Sequence, residues 1–505
     1  MLSYDDDIII AQCTPNGKGA LALLRLSGNN VRSLVNNNAR LASGKNILTV
    51  PTHTIHYGRI LDDAGNTLDT VMVIVMDAPK TFTGDDVIEI TCHNNPFLID
   101  AIITLFIKKG ARIAQEGEFT KRAFLHEKID LVQAEAINEL IGATTQAALK
   151  KSLAQLEGSF SYWIGALEHH LLRSLAWCEA SFEFLDDEAE FGTQIASALN
   201  EILAKIDNIK RTFNAQLQIR QGVRIALIGS VNAGKSSLFN ALLNQQRAIV
   251  TPLAGTTRDA IEAGIQTKEN YWTLIDTAGL RITHDFIEQE GIKRSYEEAH
   301  KADIILVVFD GSKTPTAQEL EVYEVILEKY PSKCILVHHK ADLPAASNHP
   351  YIQLVATSNE NTRFETDSNL ANETENSGSA SPTANSETPN SPENATQLII
   401  TPYMLKVSSL THANIDELHR MVENKITQLF ESMDSPFLLN KRHHALLINL
   451  EEKIKIILEL LSGSIQYELV SYHLHDALTM LSELTGKSIS EAGLDMVFKE
   501  FCVGK

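Results

Sequence analysis

The chain has 505 residues, 44% of them hydrophobic and 21% charged, with a formal net charge of −20 at neutral pH. That length divides into three or four domains at about 100–200 residues each, the composition is ordinary for a globular protein, and the acidic balance opposes a free-standing phosphate-backbone binder, which needs lysine and arginine to displace counterions. No apolar run reaches the roughly 18 residues that cross a bilayer, and residues 1–7 carry three acids where a signal peptide is basic, so no membrane association and a cytoplasmic location are expected.

Residues 1–125 mix short β-branched runs at 7–11, 70–75 and 86–91 with glycine turns and apolar helix-like stretches, the pattern of a small α+β domain. From 126 to 217 helix formers dominate, and Leu131, Ala134, Ile137, Leu140 and Ile141 are spaced to lay an apolar stripe along one helix face. From 218 to 432 strands and helices alternate. Apolar runs at 223–228, 272–275, 303–309, 333–338 and 403–407 predict the buried strands of a doubly wound α/β domain. Helical periodicity returns over 433–505 through Leu447, Leu450, Ile454, Ile457 and Leu461. Helical segments on both sides of one α/β domain predict a bundle into which that domain is inserted.

Within the α/β domain, residues 357–397 are rich in Asn, Ser, Thr, Glu and Pro and hold seven acids against one base. Such a stretch cannot bury enough surface to offset its ordering entropy and is expected to be a disordered acidic insertion. Cys13, Cys92, Cys178, Cys334 and Cys502 lack CxxC or ladder spacing, which suggests neither zinc nor a disulfide framework.

Gly229-Ser-Val-Asn232-Ala233-Gly234-Lys235-Ser236 fits a P-loop placed between a strand and the helical run beginning at Ser237. Its backbone N–H groups would surround phosphates, Lys235 would bring a point charge to the outer ones, and the Ser236 hydroxyl would face Mg²⁺. Downstream, Gly255-Thr256-Thr257-Arg-Asp259 and Asp276-Thr277-Ala278-Gly279 have the order and spacing of switch segments. Thr257 would ligate Mg²⁺ in the triphosphate state, Asp276 would hold it through water, and the Gly279 amide would sense the γ-phosphate. Leu280 stands where many such sites carry a water-orienting glutamine, so catalysis must draw on another group.

For the base, His339-Lys340-Ala341-Asp342 replaces the usual Asn-Lys-x-Asp. A carboxylate at Asp342 accepts from guanine N1–H and the 2-amino group together, which adenine cannot satisfy, and GTP is the expected nucleotide. Asparagine at the first position ordinarily braces the P-loop and contacts guanine; how His339 serves there is open at this point. Ser408, Ser409 and Leu410, after the last strand, are expected to contact the guanine carbonyl.

These motifs occur together with Ala11-Gln-Cys-Thr-Pro, Leu24-Arg-Leu-Ser-Gly28, Phe82-Thr-Gly-Asp-Asp-Val87, Gly117-Glu-Phe-Thr-Lys-Arg-Ala-Phe-Leu125, Lys128-Ile-Asp-Leu-Val-Gln-Ala-Glu-Ala136 and Phe501-Cys-Val-Gly-Lys505. With them the sequence resembles the MnmE (TrmE) family of tRNA-modification GTPases, in the TrmE-Era-EngA-YihA-Septin-like class of P-loop GTPases, over nearly its whole length. The resemblance implies a P-loop GTPase domain inserted into an α-helical domain, with an α+β N-terminal domain that dimerises and binds a tetrahydrofolate one-carbon donor. It implies K⁺-activated hydrolysis, with K⁺ on Asn232 and carbonyls of Thr251, Leu253 and Thr256, and nucleotide contacts extending over Thr251, Pro252, Leu253, Ala254 and Ser237. Asn232 as a mere brace of the loop is the alternative.

By motif position Glu288 would orient the attacking water, with Glu290 its rival. Folate contacts fall on Arg25, Glu89, Lys128 and Lys505, and salt bridges are the competing role for each. Cys502 is a candidate nucleophile toward the modified base. Cys92-His-Asn-Asn95 departs from the glycine-rich turn usual after Glu89. The implied activity is addition of a carboxymethylaminomethyl or aminomethyl group at C5 of wobble uridine U34 in certain tRNAs, by a homodimer working with MnmG and the FAD it carries. A regulatory switch, for instance in ribosome assembly, is the alternative; it would need neither folate contacts nor Cys502. A nucleotide-binding scaffold with little turnover is a third.

Overall fold

The computed structural model describes residues 7–182, 188–213, 216, 222–230, 232–244, 261–267, 270–276, 296–346, 404–431, 435–463 and 465–504. Two compact units are formed, one by Met1–Arg220 with Met433–Lys505 and the other by Gln221–Ser432. The acidic stretch 357–397 lies outside the described residues.

In the first unit, seven described strands make one sheet: β1 Ile8–Gln12, β2 Leu21–Ser27, β3 Ala39–Leu41, β4 Thr54–Leu61, β5 Thr67–Met76, β6 Val87–His93 and β7 Ala111–Ile113, in the order β3-β4-β5-β6-β2-β1-β7. All neighbours are antiparallel except β1 and β7. One face is dry, because alternate residues such as Leu24, Leu26, Val71, Val73, Ile88 and Ile90 pack on the helix Pro96–Lys108 through Ile99, Ile102 and Phe106. Asn95, in the unusual segment after Glu89, gives that helix its start: its side chain accepts from the Phe97 and Leu98 N–H groups, and Pro96 follows at the first helical position. On the opposite face Ile55 and Tyr57 stand exposed in register with Ile74 and Met72.

The helical part begins at Asp130, whose carboxylate caps Leu131–Gly142 in a capping box with Gln133. Helices Gln146–Leu156, Ser159–Ser181 and Glu188–Arg211 follow, and after the second unit Lys441–Leu460, Tyr467–Thr485 and Glu491–Phe498. Their common core takes Ile164, Leu167 and Leu171 from one segment and Leu447, Leu450, Ile454 and Ile457 from the other, so neither segment has a complete core alone. The stripe expected on Leu131–Gly142 is shorter than its spacing implied. Leu131 and Ala134 are buried with Val132, Glu135 and Ala136, Ile137 and Leu140 are half-buried, and Ile141 is 56% exposed.

Glu135 is buried yet charged. Arg442 Nη2 and His443 Nε2 each lie 2.6 Å from its Oε2, and Asn440 donates to Oε1 at 2.8 Å. Burial alone would raise its pKa, but the His443 and Arg442 charges and hydrogen bonds overcome that and hold the carboxyl well below the usual range.

In the second unit, described strands β8 Val223–Gly229, β9 Ile261–Gln266, β10 Tyr271–Asp276, β11 Ile304–Asp310, β12 Cys334–His339 and β13 Met404–Lys406 are ordered β13-β12-β11-β8-β10-β9, parallel except for β9. Along β8, Val223, Ile225 and Leu227 face one core and Ala226 and Ile228 the other. Burial on both faces explains why these strands read as continuous apolar runs rather than alternating ones. Order reverses between β8 and β11, and a cleft at the carboxyl ends of parallel strands is expected there.

Candidate nucleotide site and the N-terminal cluster

The loop after β8 lies at that reversal. Asn232 (φ 64°) and Gly234 (φ 99°) both take the left-handed conformation, which turns successive N–H groups to one side as an anion site requires. The helix Lys235–Asn244 starts two residues earlier than its sequence pattern showed, so Lys235 and Ser236 occupy its first turn, where helix dipole and free N–H groups favour phosphate. Lys235 is buried, its ammonium donates to the carbonyls of Gly229 and Ser230 at 2.8 Å each, and burial lowers its pKa against the opposing pull of Asp276.

Ser236 Oγ donates to Asp276 Oδ2 at 2.6 Å, joining the P-loop helix to the end of β10. A hydroxyl and a carboxylate so close are hard oxygen donors of the kind Mg²⁺ takes beside phosphates, so these residues fit the ion: Ser236 would ligate it, Asp276 would hold it through water, and Mg²⁺ would neutralise charge on the phosphates. Thr251, Pro252, Leu253, Ala254, Gly255, Thr256, Thr257, Thr277, Ala278, Gly279, Glu288 and Glu290 lie outside the described residues, as does Lys505.

The segments expected to read the base converge on the same end of the sheet. Asp342 Oδ1 accepts from Ser408 Oγ at 2.6 Å, and that bond holds the exposed carboxyl below its ordinary pKa. Lys340 (φ 60°) pairs with Asp310 at 2.6 Å, while Leu410 is exposed. His339, closing β12, has Nδ1 3.0 Å from the Ala233 carbonyl and Nε2 2.7 Å from Ser409 Oγ. Its ring fills the space that a Cβ at Gly234 would need, so the P-loop is braced by histidine.

A second brace was not legible in the sequence. Tyr323, on the helix Ala317–Lys329, accepts the Ser230 N–H at 3.0 Å and donates to the Val308 carbonyl at 3.4 Å. A capping box of Thr316 with Glu319 starts this helix, and the direction of a tyrosine two turns on is not recorded by apolar spacing.

In the N-terminal domain, β2 and β6 set Arg25 opposite Glu89, and Arg25 Nε donates to Glu89 Oε1 at 2.8 Å. The Arg25 guanidinium lies 5.5 Å from the Phe119 ring and 3.5 Å from the Gly504 carbonyl. Lys128 is not brought to this pair by any described bond; its ammonium donates to the Pro79 carbonyl at 2.6 Å. The C-terminal segment is fixed to the domain: Val503 bridges to Glu116, the Gly117 N–H donates to the Cys502 carbonyl at 3.4 Å, and Cys13 Sγ donates to the Gly504 carbonyl at 3.1 Å. Gly504 (φ 94°) tolerates no Cβ against the Gln12 carbonyl. Cys502 is exposed, Cys92, Cys178 and Cys334 are buried, and none of the five is in a disulfide.

A doubly wound domain with a P-loop after its first strand, a serine–aspartate pair beside it and Asp342 at the base position is a P-loop GTPase, here inserted into a helical domain that also carries an α+β N-terminal domain. The model of the GTP-binding protein TrmE N-terminus matches residues 8–128 and that of the MnmE helical domain residues 131–502. The chain belongs to the MnmE family. It is 33% identical over 504 residues to the tRNA modification GTPase MnmE of Bacillus thuringiensis subsp. konkukian, covering 99% of each chain, and 34% identical over 514 residues to that of Ligilactobacillus salivarius, covering 100% of this chain and 99% of the other. Among solved structures, Aquifex aeolicus Era bound to GDP and AlF4⁻ is 22% identical over 46% of this chain and 66% of its own, with a TM-score of 0.27. Among the described residues no helix is long and apolar enough to cross a membrane.

Proposed function

We propose that the protein hydrolyses GTP in a K⁺- and Mg²⁺-dependent cycle that drives tRNA modification: with MnmG and its FAD, it adds a carboxymethylaminomethyl or aminomethyl group at C5 of U34 in certain tRNAs, in the cytoplasm. The observation that carries this reading is the Ser236–Asp276 contact of 2.6 Å beside buried Lys235, on the same domain as the Asp342 base reader. Lys235 and the P-loop amides bind and orient the phosphates, Asp342 selects guanine, and Asn232 with the Thr251, Leu253 and Thr256 carbonyls would hold K⁺, a charge that stabilises phosphoryl transfer. Glu288 would orient water in place of the glutamine that Leu280 replaces.

Arg25 and Glu89 would take the carboxylate and the amino-pyrimidine edge of a tetrahydrofolate derivative, with Lys128 and Lys505 as further contacts and Cys502 as nucleophile. The sheet face of exposed Ile55, Tyr57 and Met72 with half-buried Ile74 supports a homodimer in which a second copy covers it.

The test is steady-state hydrolysis of GTP against ATP, in KCl against NaCl at matched ionic strength. GTP-selective, K⁺-stimulated turnover is expected, with the K⁺ requirement or the activity lost in Asn232→Lys; turnover indifferent to base and cation would reject the mechanism.

A further inference from the structure

His339 has two ring nitrogens, and both are engaged. The Ala233 carbonyl can only accept, so Nδ1 carries the proton, and in a neutral ring Nε2 is then the acceptor for the Ser409 hydroxyl. A neutral ring is the form its surroundings favour: burial lowers the His339 pKa, against the Ala233 hydrogen bond that would raise it. The side chain therefore has no donor or acceptor left over. A carboxamide at the same place would have four hydrogen-bonding positions, two N–H and two lone pairs, enough to brace Ala233, accept from Ser409 and still address a base.

The two arms reach different loops. One ends on the P-loop beside Gly234, whose missing Cβ makes room for the ring. The other ends on Ser409, the neighbour of Ser408, which holds Asp342. We propose that His339 is a saturated strut, a positioning residue that ties the phosphate loop to the base-reading loop while giving up its own contact to guanine, and so sets guanine-nucleotide affinity below what asparagine would allow.

This rests on the reading of the domain as a guanine-nucleotide site. It implies that a substitution toward the commoner residue is a gain. Binding of the fluorescent nucleotide mant-GDP in Mg²⁺ and KCl is measured for the full-length wild type, His339→Asn, His339→Ala, Ser409→Ala and the double variant His339→Ala/Ser409→Ala. Thermal melting of each confirms folding. His339→Asn should bind roughly 2- to 10-fold more tightly than wild type, the value of one added hydrogen bond. His339→Ala should bind about 10-fold or more weakly, and Ser409→Ala should weaken binding in the wild-type background but not in the His339→Ala background.

His339→Asn binding no more tightly than wild type overturns the claim of a surrendered base contact. His339→Ala matching wild type, or additive effects of the two alanines, overturns the strut. Wild-type protein that binds no mant-GDP overturns the guanine-site reading with it, an outcome distinct from a binding wild type matched by His339→Ala. If His339→Ala does not fold, the His339→Asn and Ser409→Ala comparisons still decide.

Discussion

The Gln216 side-chain carbonyl accepts the Leu439 backbone N–H at 2.7 Å, joining two residues 223 positions apart in sequence. Gln216 stands just before the nucleotide unit and Leu439 just after it. The preceding amide, Leu438 N–H, donates to Gln155 Oε1 at 3.3 Å, and Lys151 holds the Ser435 carbonyl. Gln155, Gln216, Leu438 and Leu439 are all buried, so the chain leaves the inserted unit through a clasp of side chains that substitutes for regular secondary structure.

Gln216→Leu should therefore strand the Leu439 N–H without water. A loss of about 1–3 kcal/mol in stability is expected, read as a lower urea midpoint for the helical part, with faster hydrogen exchange at Leu439. Unchanged exchange at that amide would mean the clasp is ornamental.

The buried Glu135 predicts a stability profile in acid. Its folded pKa is lowered by His443 and Arg442, whereas in the unfolded chain it titrates near ~4.3. Above that range both states are charged and the contribution is constant. As pH falls below it, the unfolded chain takes up a proton that the folded one refuses, so stability declines. Urea midpoints measured from pH 7 to 3 should show this slope, and Glu135→Gln should flatten it; Glu135→Ala, which leaves Arg442 and His443 without their anion, should cost roughly 3–5 kcal/mol at pH 7.

As the proposed base reader, Asp342 would make base choice programmable. Asparagine there offers one acceptor and one donor, which matches the N1–H and C2 carbonyl of xanthine instead of the two donors of guanine. Asp342→Asn should raise KM for GTP by about 10²-fold or more and make XTP the better substrate. Equal loss of both nucleotides would place Asp342 outside the base contact.

For the N-terminal cluster the proposed ligand is a reduced folate. Arg25→Met should weaken binding of 5-formyltetrahydrofolate by roughly 10-fold or more in calorimetry, the value of a charged hydrogen bond, while leaving GTP hydrolysis unaltered. Unchanged affinity would assign Arg25 to a purely structural pair with Glu89.

The nucleotide domain was readable because its signals are local. Buried parallel strands give unbroken apolar runs, and the P-loop packs its chemistry into eight consecutive residues from Gly229 to Ser236. The observed strand Ile304–Asp310 is displaced by one residue from the run expected at 303–309. The brace by His339 was legible as a departure from Asn-Lys-x-Asp but not as a solution, since only the fold sets Ala233 and Ser409 on either side of one ring. Tyr323 under Ser230, Gln216 on Leu439 and Cys13 on Gly504 left no trace at all. Each is a single hydrogen-bonding side chain whose partner lies distant in sequence, and periodicity records neither distance nor direction. Ile141 errs the other way: helical spacing shows which face is apolar, but not how far along the helix a neighbour covers it.

The bond from Cys13 to Gly504 also has a history in time. A ribosome delivers the strands that carry Arg25 and Glu89, then the helices Ser159–Ser181 and Glu188–Arg211, long before Lys441–Leu460 exists to complete their core. At ~5–20 residues per second that delay is on the order of tens of seconds. During it the nascent chain holds an open apolar surface while the nucleotide unit, contiguous in sequence, has all it needs to fold. A chain cut short after residue 432 would thus carry all of the nucleotide domain, but only half a helical core and an N-terminal cluster without its Gly504 contact.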